Sequence, residues 1–219
     1  MEVVMADAVN CSICGKKIGG ILGTSLAMSG QREFWGKQGI DASGWCQKCM
    51  DEYVKEENKK MSQEIEEISD MLKHKVKSAL EYIELLTTPP PVSWDGIFKG
   101  IVSGHAVIGT GPLTEIVSAW TDFFGEKSHT YQEKIREGEK GAILDTKFEC
   151  LKKGANFVVG CNISIQEATS GHGMLMISCA GTAYQTKDVP EIIIEAYELI
   201  KKKEKIQHLQ GELKKLSSF

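Results

Sequence analysis

No window of this 219-residue sequence reaches the roughly 18 uncharged apolar residues that a membrane span needs. The opening residues MEVVMADAVN lack the basic n-region and the apolar h-region of a secretory leader. Both absences predict a cytoplasmic protein without a membrane span. Neither sign of charge dominates: the formal net charge is −4, which argues against general nucleic-acid binding. Residues 11–49 alone carry five basic and two acidic side chains, a local excess of +3. Between Trp94 and Lys187 no Ser/His/Asp or Cys/His arrangement can be defended from spacing, and the Gly-rich stretch TSGHG at 169–173 resembles no phosphate-binding loop. His105 and His172 stand alone and read as hydrogen-bonded or solvated residues. The region therefore points away from an enzyme, and no catalytic residue is assigned.

Hydrophobic residues make up 42% and charged residues 26%, which suits one medium domain with a small satellite. Four of the seven cysteines form two Cys-x-x-Cys pairs, Cys11 with Cys14 and Cys46 with Cys49. In a reducing compartment this spacing favours a metal over disulfides. Four thiolates are a soft tetrahedral set that suits Zn²⁺, and one tight turn can supply two sulfurs. Gly15, directly after Cys14, supplies the positive φ that such a turn commonly needs. The second pair opens a predicted helix, whose positive end favours anionic sulfur. Four sulfurs fill the coordination shell, so the site is read as structural rather than catalytic. A rubredoxin-like or iron–sulfur centre uses the same four ligands, and zinc is the preferred reading over iron or a redox dithiol. Phe34, Trp35 and Trp45 are the expected core of this module, with an exposed contact role as the alternative for Trp35.

Four segments follow from composition and periodicity: a metal module at 9–50, a helical stalk at 51–88, an α+β domain at 94–188 and a C-terminal helix at 190–219. The stalk carries an apolar stripe, Met61, Ile65, Ile68, Leu72, Val76, Ala79, Ile83 and Leu86, and is expected to stop at the prolines 89–91. A strand is predicted over 96–108, a helix over 113–124 and a second helix from a Ser128 cap, about His129 to Lys153, closed by Gly154. Strands 157–165 and 173–184 flank the turn, and Pro190 starts the last helix, whose Ile206, Leu209, Leu213 and Leu216 make it a natural mate for the stalk.

The two strands are expected to pair antiparallel with an index sum of 340, which sets Cys161 opposite Cys179 and Phe157, Val159, Ile163 and Ile165 on one apolar face. Cys161 and Cys179 then read as two buried, inert thiols.

The residues DFFG at 122–125, the Tyr131-x-x-Lys-Ile-Arg136 stretch, GANFVVG at 154–160 and GMLMISCAGTA at 173–183 together resemble the YbjQ family, labelled heavy-metal-binding. The resemblance covers Ile97 to Lys187. It implies a compact α+β subunit that assembles into a pentameric ring, and it supplies no catalytic residues. The N-terminal segment, CSICGKKIGGILG with WCQKC, is similar to short bacterial zinc-ribbon domains that precede other modules. The expected function is a non-enzymatic, zinc-containing homo-oligomer, a ring that presents zinc ribbons to a partner with avidity. A ring that binds a small molecule or metal at its subunit interfaces, with or without catalysis there, is the alternative, and nucleic-acid binding through the +3 module is the third.

Overall fold

A computed structural model describes residues 10–19, 23–90, 92–108, 131–169 and 174–217. These form two compact units, one of residues up to Ser69 together with those from Lys203 onward, the other of Asp70–Lys202. The predicted helix at 113–124, the Ser128 cap and most of the turn before Met174 lie outside the described residues.

In the first unit, isolated bridges join Asn10 to Lys17, Ile18 to Thr24 and Leu26 to Cys46. Helix α1, Ser29–Lys37, occupies the long insert between the cysteine pairs. Helix α2, Gln47–Glu81, begins immediately after Cys46. Phe34, Trp35, Ala42, Trp45, Met50 and Val54 form one core with Leu213. Tyr53 meets Trp35 and Trp45 edge-on at 5.0 and 5.1 Å. Trp35 is thus buried, at 4% exposure, and the contact role is excluded. Helix α4, Glu191–Ser217, contributes that Leu213, and its Gln210 Nε2 donates to Asn58 O at 3.3 Å and to Ser62 Oγ at 3.0 Å. The stripe read from the sequence therefore does pair with the α2 helix within this unit.

The second unit holds a mixed four-stranded sheet in the order β1-β3-β4-β2. Its strands are β1 (Glu84–Leu85), β2 (Ile97–Ile108), β3 (Phe157–Thr169) and β4 (Met174–Gln185). β1 runs parallel to β3, while β4 is antiparallel to both β3 and β2. Helix α3, Tyr131–Lys152, lies on one face, where Ala142 packs with Ile177 and Cys179. The approach is close because Gly104 of β2 has no side chain: a Cβ there would sit 2.3 Å from both Ala142 O and Thr146 N. The buried Thr146 hydroxyl lies 2.8 Å from Ala142 O and 2.9 Å from Cys179 O, so it ties helix and strand. At the far end, Asn156 Nδ2 donates to Thr186 Oγ1 at 2.7 Å and its Oδ1 accepts the Thr186 amide at 2.9 Å.

Two expectations are corrected here. The α2 helix ends at Glu81, well before the prolines. Lys147 Nζ donates to Leu80 O at 3.0 Å, satisfying a terminal carbonyl. The chain then joins the sheet, with Glu84 N bonded to Asn156 O at 3.1 Å and Leu86 N to Val158 O at 2.8 Å. Ile83 and Leu86 continued the apolar stripe, yet they belong to this extended segment. The hairpin register is also different. Phe157–Val159 pair with Tyr184–Thr182 at a sum of 341, and Asn162–Glu167 pair with Ala180–Leu175 at 342. A β-bulge at Gly160 and Cys161 absorbs the extra residue, with Gly160 at φ +63°. Phe157 and Val159 consequently face away from Ile163 and Ile165, not with them.

Candidate metal centre

The four N-terminal cysteines converge from two knuckles. In the first, Gly15 adopts φ +69°, its amide bonds to Cys11 O at 2.9 Å, and the Cys11 amide bonds to Lys16 O at 2.8 Å. This turn aims Cys11 and Cys14 the same way. In the second, Cys46 immediately precedes the first residue of α2 and Cys49 lies in its first turn. The knuckles are held together by Ser12 N on Gly44 O at 3.0 Å and by the Cys46 amide on Cys11 Sγ at 3.3 Å.

All four sulfurs lie within 4.8 Å of one another. Cys14 Sγ and Cys46 Sγ are 3.8 Å apart. Metal–sulfur bonds of about 2.3 Å put tetrahedral sulfurs about 3.8 Å apart, so the spacing fits a four-thiolate metal site. Cys11 and Cys46 are buried, Cys49 is half-buried and Cys14 exposed.

The thiols of Cys11, Cys46 and Cys49 are perturbed in different directions. Burial pushes the Cys11 thiol up, but amides including those of Cys14 and Cys46 outweigh it and hold the thiol down at about 6. The Cys49 amide likewise lowers Cys46. Burial, reinforced by the sulfurs of Cys14, Cys46 and Cys11, pushes Cys49 up to about 12. Without a cation four thiolates repel each other, and a bound metal removes that penalty and deprotonates the set. The arrangement suits metal binding.

Residues 85–187 match a family model, YbjQ, described as "Putative heavy-metal-binding". A UPF0145 protein of Clostridium botulinum (strain Alaska E43 / Type E3) is 31% identical over 101 residues, which is 45% of this chain and 95% of that protein. The chain belongs to the UPF0145 family. A UPF0145 protein of Acetivibrio thermocellus is 34% identical over 86 residues, 39% of this chain and 81% of the relative. A crystal structure of a Pediococcus pentosaceus protein of unknown function, in the DUF74 family, aligns with 48% of this chain and 98% of its own at 11% identity, with a TM-score of 0.31. The four-cysteine cluster lies N-terminal to the stretch matched by the UPF0145 family model.

Within the UPF0145 stretch, His105 is hydrogen-bonded, as its isolation suggested: Nδ1 is 3.0 Å from Ser178 Oγ, and its amide donates to Asp145 Oδ2 at 3.0 Å. His172 lies outside the described residues. Asp145 went unnoticed in the sequence because its partner is a backbone amide 40 positions away. No helix of the described residues is long and apolar enough to cross a membrane.

Proposed function

We propose that Cys11, Cys14, Cys46 and Cys49 hold one structural Zn²⁺, and that the protein is a cytoplasmic, non-enzymatic homo-oligomer presenting this zinc module to a protein partner. The convergence of four sulfurs within 4.8 Å carries the metal half of this reading. Four protein ligands fill a tetrahedral shell and leave no position for water or substrate, so the metal's role is to fold the module. Protein purified without added metal is expected to contain close to one zinc per chain by elemental analysis. A ratio near zero in reduced, folded protein overturns the zinc assignment, and iron in zinc's place reassigns the metal.

Assembly is supported by the β2 edge. Among the described residues β2 pairs only with β4, and it exposes Ile97, Phe98 and Ile101 at 57, 63 and 76%. A 12-residue strand with such side chains is an edge that natural proteins cover. Closed rings cover identical edges in identical ways, and the family resemblance points to five subunits. Linking several modules in one ring gives avidity for a partner without new contacts. Light scattering at low micromolar concentration is expected to give five chain masses, and a persistent monomer removes the ring and the avidity with it.

A further inference from the structure

The long insert between the cysteine pairs is pinned to the second pair by one side chain, Gln47, which directly follows Cys46. Helix α1 starts from Met28, whose side chain makes no capping hydrogen bond to the first turn. In a capping box the Glu or Gln at the third helical position accepts the N-cap amide, and Gln31 occupies that position here. The Met28 amide instead donates to Gln47 Oε1 at 2.9 Å, while Gln31 Oε1 accepts from Gln47 Nε2 at 2.9 Å. Gln47 thus completes the box from 16 positions beyond Gln31. The second proton of Nε2 goes to Asp51 Oδ1 at 2.7 Å, so both donors and the acceptor of this amide are occupied. Gln31 is 3% exposed, and without Gln47 its buried amide loses a partner.

The backbone beside this link carries the metal site. The Gln47 amide donates to Ser25 O at 2.8 Å, Leu26 bridges to Cys46, and the Ala27 amide donates to Trp45 O at 3.0 Å. Residues 25–28 therefore lie along residues 45–47, and the Gln47 side chain fixes the far end of that contact. The peptide held in this way includes the Cys46 amide, which donates to Cys11 Sγ at 3.3 Å and so links one knuckle to a sulfur of the other. A donor aimed at sulfur favours the thiolate, and the aim depends on how the peptide is held. We propose that Gln47 is a positioning residue for the metal: it latches the insert onto the second knuckle, keeps the Cys46 amide directed at Cys11 Sγ, and thereby sets how tightly the four sulfurs hold their ion. This rests on the four-cysteine zinc reading and adds that the insert, not the knuckles alone, governs metal retention. Gln47 is not itself a ligand.

The test compares the full chain with two variants in the same helical turn. Gln47→Met keeps the side chain's length and helix propensity and removes all three hydrogen bonds. Lys48→Met changes an exposed neighbour that pairs with Glu52 at 3.8 Å. Zinc is competed away with a chromophoric chelator at neutral pH, and cobalt(II) is then loaded in its place to record the sulfur-to-cobalt absorption bands. Gln47→Met is expected to hold zinc about 10–100-fold more weakly, as when a group that orients a metal ligand is lost, and to shift the cobalt bands. Lys48→Met is expected to match wild type in both. Equal zinc affinity in Gln47→Met and wild type overturns the proposal. So does weaker zinc with unshifted bands, because a change in module stability alone leaves the loaded site as it was. Should Gln47→Met take up no cobalt, Gln47→Glu decides in its place, since it keeps an acceptor for the Met28 amide and loses only the two donors. Weaker zinc with shifted bands is expected there too, and wild-type affinity overturns the proposal. A wild-type chain that takes up neither zinc nor cobalt overturns the zinc reading and this proposal with it, a result told apart by the wild type alone.

Discussion

Cys14→Ser is expected to abolish protection of backbone amides across residues 11–49 in hydrogen exchange, while β2, β3 and β4 keep theirs. Cys14 is exposed, so its replacement removes a proposed ligand with little loss of packing, and the effect isolates coordination. The module has little else to fold it. Its strands are single bridges, and its core is a handful of side chains around Trp35 and Trp45. Small metal modules draw about 10–16 kcal/mol of apparent folding energy from zinc, and losing one of four ligands forfeits a large part of it. The sheet of the second unit has its own core, with Val158, Ile177, Cys179 and Ala183 fully buried. Loss of protection in both units would show that they do not fold separately, and unchanged protection at 11–49 would show that no metal holds the knuckles.

Gly104→Ala is the second large effect, and it acts on the other unit. The new Cβ would meet backbone atoms of α3 at 2.3 Å, and backbone cannot step aside as a flexible side chain can. The helix must lift from β2, straining the Thr146 hydroxyl link to Cys179 O and exposing Ala142 and Ile177. Overpacking of this kind costs about 1–3 kcal/mol, and here the upper end is expected. Gly211→Ala is the counterpart: this α4 position has nothing within 4 Å and no unusual φ, so helix propensity alone predicts a gain of about 1 kcal/mol. Urea unfolding of the two variants against wild type measures both. Equal midpoints for Gly104→Ala and wild type would refute the close packing of α3 on β2.

The sequence by itself determined what depends on short-range chemistry. The two Cys-x-x-Cys pairs, Gly15 after the second sulfur and the helix that follows Cys46 are local features, because turns and helix starts are set by a few neighbouring residues. β2 and the start of α4 after Pro190 were legible for the same reason. So was the family, through residues spread along the stretch matched at 85–187. Tertiary structure decided the rest. The α2 helix stops at Glu81 because Lys147, 67 positions from Leu80, meets its last turn and because β3 offers backbone partners to Glu84 and Leu86. The apolar stripe could not show this, since Ile83 is buried equally well in a helix or in the extended chain. The bulge at Gly160 was hidden too, because alternation is satisfied on each side of it and only pairing with β4 reveals the extra residue. Periodicity reports which residues seek burial. The long-range hydrogen bonds that choose the backbone conformation, and here the face on which Cys161 lies, exist only once the chain has folded.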